Sequence, residues 1–360
     1  MAGSMAFPQQ DGDRGVNQMM LVTLFAGLYV AFSTALIAYN KFLMHADRFP
    51  YAIALVLLHS IFCSLCTGLL FLCKPSMFPS LTDPARKVNV DRSLIAKGAL
   101  PIAVLFSAQL VLSNTAYLHS SVAFLQMMKE CNIVLVYVFS LVAVLEKFSW
   151  RSVGILLFIV IATTMTIHGE VHFSLTGFVI QGTGQLFECC KIVLQAMLLT
   201  SAGRKLDALT YVMLVMPLCA ILLGGGYCAF TVFPHEHFMT PQWHHLVQWW
   251  PHLLANACIA FALNVVIALF VKHSSAVAFI LVGILKDAMI VAAGGLIFKE
   301  VITLVQGIGF FLQLCGIVTW SMMKQFPEMF EATPLNLDAK GQILANTGQY
   351  GSTEDKASEA

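Results

Sequence analysis

Long apolar runs separated by short polar segments occupy the chain from about residue 20 to residue 323. A helix needs about 20 mostly apolar residues to cross a bilayer, and ten runs of suitable length follow one another. They lie at 20–40, 51–73, 98–118, 121–145, 152–168, 176–200, 209–232, 251–271, 274–298 and 303–323, and the fourth is interrupted by Lys129 and Glu130. Strands of a membrane barrel would instead alternate apolar and polar residues. The pattern therefore predicts an all-α membrane protein with ten transmembrane helices.

Polar stretches at the two ends divide the chain into three predicted parts. Residues 1–17 form a short N-terminal segment, and residues 18–324 form the ten-helix membrane domain. Residues 325–360 are polar, with a Gly-Gln-Tyr-Gly-Ser-Thr-Glu-Asp stretch whose composition is typical of disorder. We expect this C-terminal tail to be disordered.

The composition argues against two broad classes of protein. Of 360 residues, 58% are apolar and only 11% are charged, against about 25% charged in soluble domains. A soluble domain with so few charges could not cover its surface with polar groups. The formal net charge of +1 provides no basic excess to neutralise nucleic-acid phosphates. We therefore expect neither a soluble domain nor a nucleic-acid partner.

The distribution of Lys and Arg between the predicted loops indicates the orientation in the membrane. With the N-terminus in the cytosol, the cytosolic segments hold 14 of these residues, the opposite side holds 3, and 3 lie within spans. Positively charged loops remain in the cytosol, so both termini are predicted to be cytosolic. The loop after the seventh helix, with Trp243, Trp249 and Trp250, then faces the lumen, with its rings at the membrane interface.

A short motif recurs in the two halves of the chain. Residues 119–130 read HSSVAFLQMMKE, and residues 273–287 read HSSAVAFILVGILKD. Each copy follows an Asn, Asn114 or Asn264, and lies in the fourth helix of a five-helix half, about 18–168 or 174–324. Because five is odd, the second half must enter the membrane inverted. The sequence thus predicts a 5+5 inverted repeat, the plan of secondary transporters, which bind their substrate at the repeat interface.

Each copy of the motif ends in an intramembrane Lys followed by an acid, Lys129–Glu130 and Lys286–Asp287. A Lys at bilayer depth costs at least about 2.5–3.5 kcal/mol on insertion scales, so it should face the bundle interior or water. Adjacent helical residues point about 100° apart, so we expect each acid to pair elsewhere and leave its Lys to a cavity. Two such lysines would form a phosphate site. The alternative is structural pairing of Lys129 with Glu130 or Glu188, and of Lys286 with Asp287.

Neutral polar and aromatic residues in the spans are further candidates, because they could recognise the base or sugar of a substrate. The candidate substrate-binding residues are Lys129, Lys286, Asn264, Tyr29, Gln126 and Tyr211, and the candidate charge-balancing residues are Asp287, Glu130, Glu188 and Lys191. The sequence contains no Walker loop and no His-Glu-x-x-His motif. We expect no enzyme, catalytic residue, metal or cofactor. A membrane-embedded enzyme built on Glu188 with His119 or His168, and a receptor that transports nothing, stay open as alternatives.

Other short motifs run through the membrane region. They are Asn40-Lys41, Phe49-Pro50-Tyr51, His59, Asn114-Thr115-Ala116-Tyr117, Ser121-Val122-Ala123-Phe124, Gly169-Glu170, Gly177-Phe178, Phe261-Ala262-Leu263-Asn264 and Ser275-Ala276. Together with Lys129 and Lys286-Asp287, they make the chain resemble the triose-phosphate translocator and nucleotide-sugar transporter family of the drug/metabolite transporter superfamily. The resemblance covers about residues 20–324 and is strongest to the subgroup with Lys-Asp in the ninth helix.

The resemblance implies a ten-helix antiporter that works by alternating access across an endomembrane. It would exchange a nucleotide sugar or phosphorylated sugar for phosphate or a nucleoside monophosphate, with Lys129 and Lys286 contacting the phosphate. The expected partners are these two substrates, membrane lipids and, as one option, a second copy of the chain in a homodimer.

The N-terminal segment bears on the expected organelle. A plastid-type sugar-phosphate/phosphate translocator is the alternative reading, but a transit peptide would be longer than the segment before the first span, and poor in acids such as Asp11 and Asp13. We expect the Golgi membrane, with the endoplasmic reticulum as a second option and a plastid as a third.

Protease protection tests the predicted orientation. In sealed vesicles whose cytosolic face is outside, a C-terminal tag should be cleaved without detergent, because the charge bias places both termini in the cytosol. A tag introduced near residue 240 should resist cleavage until detergent opens the vesicles. Protection of the C-terminal tag would contradict the ten-helix topology.

Overall fold

A computed structural model describes residues 10–85, 87–200, 206–233, 239–273, 276–326 and 329–330. Residues 1–9 of the predicted N-terminal segment, Ser274 and Ser275 of the second repeat motif, and most of the predicted tail at 325–360 lie outside the described residues. By its contacts the chain divides into one unit at Met1–Ser321 and a second at Met322–Ala360. The candidate site lies in the first unit.

Twelve α-helices account for most of the described chain, and no strand occurs in that part. Leu94–Ala99 forms a π-helical turn at the start of α4. The helices are α1 Gln10–Leu43, α2 Ala52–Cys73, α3 Pro79–Thr82, α4 Leu100–Ala116, α5 Val122–Lys129, α6 Asn132–Val142, α7 Trp150–His168, α8 Leu175–Thr200, α9 Ala208–Val232, α10 Trp243–His273, α11 Ala276–Ile297 and α12 Leu304–Gln325.

The predicted all-α membrane fold is confirmed. Within the described ranges, eight segments are long and apolar enough to cross a membrane, and they match the predicted spans one to five, seven, eight and ten. The sixth and ninth predicted spans correspond to α8 and α11. These two helices carry the intramembrane charges Glu188, Lys191, Lys286 and Asp287. The count of ten spans therefore stays a prediction.

The helix packing supports two equivalent five-helix halves. In chain order, α1, α2, α4, α5–α6 and α7 correspond to α8, α9, α10, α11 and α12. The contact of α1 with α10 is matched by that of α8 with α4, and the contact of α2 with α10 by that of α9 with α4. Similarly, α1 contacts α11 and α8 contacts α6. The remaining main contacts, α2 with α9 and α5 with α11, join equivalent helices, as a repeat interface requires.

The fourth predicted span is broken in its middle, between α5 and α6. Helix α5 ends at Lys129, and α6 begins at Asn132, so Glu130 and Cys131 lie at the junction. Side chains from the second half contact the polar backbone of α5. Gln313 of α12 donates to the Met127 carbonyl at 3.1 Å. Such contacts allow a break at membrane depth, because they replace hydrogen bonds that water cannot supply there.

One expectation about the loops is wrong. Trp243, Trp249 and Trp250 do not lie in a loop after the seventh helix, because α10 already begins at Trp243. The polar pair His244 and His245 hides this helix start in the sequence, and Pro251 resembles the first residue of a helix. In the structure Pro251 lies inside α10.

Close packing between α7 and α12, the two equivalent terminal helices, depends on glycine. A methyl group on Gly309 would lie 2.9 Å from the Ala162 carbonyl oxygen and 3.0 Å from the Thr166 backbone nitrogen. Backbone atoms of a packed helix cannot move aside as a side-chain end can. At Gly307, two residues earlier on α12, an added methyl group would have no described atom of another element within 4 Å. Small residues at such interfaces let membrane helices approach closely.

Alanine substitutions at these two glycines should therefore differ in effect. Gly309→Ala should reduce stability by about 1–3 kcal/mol, because the added methyl overpacks the interface. Gly307→Ala should leave stability unchanged or raise it slightly, because alanine favours the helix more than glycine does. Thermal unfolding of the purified protein in detergent measures both, and equal midpoints for the two variants would contradict the described packing.

Candidate functional site

A buried polar cluster lies where α5 of the first half meets α11 of the second. The Lys286 ammonium is 2.7 Å from a carboxylate oxygen of Asp287, and both residues belong to α11. The Gln126 amide of α5 donates to the same Asp287 oxygen at 2.7 Å. That amide also lies 3.5 Å from Glu130 Oε1, one turn further along. The repeat interface therefore carries a lysine, two acids and an amide in one connected group.

The Lys286–Asp287 ion pair corrects the expectation that the two side chains would point apart and pair elsewhere. Their side chains are only 19% and 13% exposed, and an unpaired charge is strongly unfavourable at such burial. The expectation relied on the angle between adjacent residues. The four-carbon stem of lysine is flexible enough to bring its ammonium back to the neighbouring carboxylate. Lys286 is therefore a paired cation.

A second charged group lies on α8, next to the helix break. Glu188 accepts a hydrogen bond from the Asn132 amide at 3.0 Å, and Lys129 and Lys191 are close enough to act on it electrostatically. The Lys191 ammonium also lies 4.3 Å from the centroid of the Phe106 ring, a cation–π contact with α4. Lys129 thus lies near Glu188. This agrees with one of the two structural pairings of Lys129 considered from the sequence, with Glu188 rather than with Glu130.

Tyr29 of α1 borders the first group. Its side chain is buried, and it lies within electrostatic range of both Lys286 and Asp287. Its ring packs against Phe270 of α10, with the ring centroids 5.9 Å apart. The hydroxyl therefore provides a polar atom on a third helix beside the ion pair.

Asn264 and Tyr211 lie in a different place, around Cys63 of α2. The Asn264 amide donates to the Ala260 carbonyl at 3.0 Å and lies 3.7 Å from the Cys63 sulfur. Tyr211 packs on the same cluster, together with Phe106. Phe106 connects this group to the α8 charges, because its ring also contacts Lys191.

The structure thus sorts the candidate residues into three neighbouring groups. The first contains Lys286, Asp287, Gln126, Glu130 and Tyr29, the second contains Lys129, Glu188 and Lys191, and the third contains Tyr211 and Asn264. Lys286 also acts electrostatically on Glu188, which links the first two groups. The third group contributes no charge.

The sequence reading missed a carboxylate that holds α5 in place. The two oxygens of Glu300, in the α11–α12 connection, accept from the backbone N–H groups of Val122 and Ala123 at 2.7 and 2.9 Å. Both donors lie in the first turn of α5, where backbone N–H groups lack helical partners and a negative charge is stabilising. In the sequence, Glu300 resembles an ordinary solvated charge at a helix end.

Lys41 binds carbonyl groups at the end of α4, as Glu300 binds N–H groups at the start of α5. Its ammonium donates to the carbonyls of Tyr117 and Ser120 at 2.6 and 2.8 Å. A cavity of about 420 Å³ lies beside it and is bordered by Glu300 and Glu170. Burial raises the pKa of Glu170, and the hydrogen bond from Gln306 at 2.5 Å opposes that rise. These contacts join the connections of both halves at one end of the bundle.

Comparison with known proteins agrees with this architecture. A family model described as Triose-phosphate Transporter family matches residues 19–321. Three Arabidopsis thaliana proteins described as probable sugar phosphate/phosphate translocators are 29%, 27% and 28% identical to this chain over 322, 317 and 313 residues. The matches cover 87%, 87% and 86% of this chain and 90%, 86% and 80% of the relatives.

Charge removal at the α11 pair should reveal how strongly it is coupled. Lys286→Met leaves Asp287 without its nearby cation, and breaking a buried pair costs about 3–5 kcal/mol. The double variant Lys286→Met/Asp287→Asn removes both charges and should recover much of the lost thermal stability in detergent. A double variant less stable than Lys286→Met alone would contradict the described ion pair.

Proposed function

The chain belongs to the triose-phosphate transporter family, and on this premise we propose that it exchanges a phosphorylated sugar for inorganic phosphate across a membrane. The exchange proceeds by alternating access of one site to the two sides. The contact between α5 and α11 carries this proposal, because it places Lys286 and Gln126 from equivalent helices of the two halves in one polar group. Secondary transporters built on inverted repeats bind their substrates at such interfaces.

The names of the relatives favour a particular substrate class. The Arabidopsis proteins are described as probable translocators of sugar phosphate and phosphate, so the phosphorylated-sugar branch of the sequence prediction has support from them. The nucleotide-sugar branch and the Golgi location stay predictions from the sequence.

In this proposal Lys286 is the main phosphate ligand. A phosphate oxygen replaces Asp287 as the partner of the ammonium, in a charge-assisted hydrogen bond. Lys129, on the equivalent helix of the first half, provides a second positive charge. Lysine binds phosphate as a point charge and has a flexible stem, so it can follow the substrate through small rearrangements.

The pairing in the structure also gives a reason for obligatory exchange. The hydrogen bond from Gln126 to Asp287 joins α5 to α11 across the two halves. Movement of the halves without substrate would break this bond and leave buried polar groups unpaired, which is unfavourable. A phosphate between Lys129 and Lys286 contacts both halves and compensates for the loss. The loaded carrier therefore reorients faster than the empty one.

Counter-flow uptake into proteoliposomes tests the proposal. Vesicles preloaded with inorganic phosphate should take up a labelled hexose phosphate much faster than unloaded vesicles. Lys286→Gln should reduce this exchange at least about tenfold, because it removes a charge-assisted hydrogen bond. Lys87→Gln, which changes an exposed lysine between α3 and α4, is the matched control and should retain wild-type exchange.

Two outcomes would overturn the proposal. Folded Lys286→Gln protein with wild-type exchange would exclude the α11 lysine as a phosphate ligand. Equal initial uptake in preloaded and unloaded vesicles would show a uniporter.

A further inference from the structure

The carboxyl groups of Glu130 and Asp287 are unusually placed for two acids. The Gln126 amide nitrogen lies 3.5 Å from a carboxyl oxygen of Glu130 and 2.7 Å from one of Asp287, so both carboxyl groups converge on the same amide. Glu130 is only 8% exposed. Two ionised carboxylates that share a buried site repel each other, and a proton on one of them removes this repulsion. Asp287 already has Lys286 as its cation, which leaves Glu130 as the protonated partner.

Groups on every helix packed around the break agree with this assignment. On α5 and α6 the neighbours of Glu130 are Lys129 and Cys131, and the uncharged Thr163 of α7 and Gln313 of α12 lie behind them. The titratable groups on the other packed elements are Lys286 and Asp287 of α11, Tyr29 of α1, Tyr117 at the end of α4, and Glu188 and Lys191 of α8. Lys286, which acts electrostatically on Glu130, is already engaged by Asp287.

The charge balance shows what such a proton would achieve. The first and second groups of the site, which we call the central groups, contain three lysines and three acids. These are Lys129, Lys191, Lys286, Glu130, Glu188 and Asp287. With all six ionised these groups sum to zero, and binding a phosphate dianion would change the net charge of this interior to −2. With a proton on Glu130, the loaded site carries −1. Reducing uncompensated charge is strongly favourable in a bilayer-embedded interior.

We propose that Glu130 binds a proton that phosphate binding requires, so that each phosphate ester is bound and carried with one proton on this residue. The inference rests on the proposed exchange function. When Lys286 turns from Asp287 to the phosphate, the Glu130 hydroxyl donates to Asp287, and Asp287 keeps the hydrogen bond from Gln126. Asp287 then stays satisfied without its cation. An ionised Glu130 would instead repel both Asp287 and the substrate.

The sign of the pH dependence follows directly. Raising the pH removes the proton from Glu130, so phosphate binding and exchange should be present at low pH and be lost as the pH rises. Once Glu130 is ionised in the empty carrier, affinity should fall by up to about tenfold for each pH unit, because one proton is linked to binding. Glu130→Gln retains an N–H donor toward Asp287 and cannot ionise. Its affinity should be independent of this step.

Exchange of inorganic phosphate in proteoliposomes, with equal pH on both sides from 6.5 to 9, provides the first test. The ratio of wild-type to Glu130→Gln exchange removes the titration of phosphate itself, and it should fall steadily toward high pH. Glu146→Gln removes a carboxylate from the α6–α7 connection and should show the wild-type profile. Identical profiles for wild type and Glu130→Gln would overturn the proton site while leaving the exchange function intact.

Calorimetry gives a second test. Binding of inorganic phosphate from pH 6.5 to 9, measured in buffers of different ionisation enthalpy, should show proton uptake that rises toward one proton per phosphate as Glu130 ionises in the empty carrier. Folded Glu130→Gln protein should lack this rise. The same proton uptake for wild type and Glu130→Gln at every pH would refute the proposal, whereas absence of both binding and exchange at every pH would refute the proposed function itself.

Discussion

Charge burial in a bilayer is the constraint on which the rest of this structure depends. Each lysine in a membrane span costs at least about 2.5–3.5 kcal/mol on insertion scales, unless it meets a partner or water. The central groups meet that demand by pairing. Lys286 has Asp287, and the Lys129 and Lys191 side chains lie around Glu188. Because the partners come from α5, α8 and α11, the charges hold the two halves of the protein in register as well as forming the candidate site.

The break between α5 and α6 has a clear role in this arrangement. A continuous helix would bury its backbone groups in internal hydrogen bonds and present side chains at fixed angles. The break places Glu130 at a helix end, beside Asp287, and polar side chains such as Gln313 contact the adjacent backbone. At its other end α5 is fixed by Glu300. A short helix held at both ends by residues of the second half joins the two halves at their interface.

The sequence predicted the helices well because each needs only a long apolar run, a property that neighbouring elements scarcely alter. It also selected Lys286, Asp287, Gln126, Glu130 and Tyr29, which the structure brings together, since polar groups inside apolar runs are conspicuous. It failed where contacts between distant segments decide the outcome. The Lys286–Asp287 pair depends on a side-chain conformation, the capping of α5 by Glu300 joins residues far apart in sequence, and the packing of Asn264 on Cys63 follows from the tertiary fold. No local pattern encodes these contacts.

In the proposed exchange, phosphate takes over Lys286 from Asp287 at the interface of the two halves. A cryo-electron microscopy structure of the full chain with bound inorganic phosphate tests it most directly. We expect phosphate density within hydrogen-bonding distance of the Lys286 ammonium, an open Lys286–Asp287 pair, and Asp287 hydrogen-bonded to Gln126 and to the protonated Glu130. Phosphate bound elsewhere in the bundle, with the Lys286–Asp287 pair intact, would contradict it.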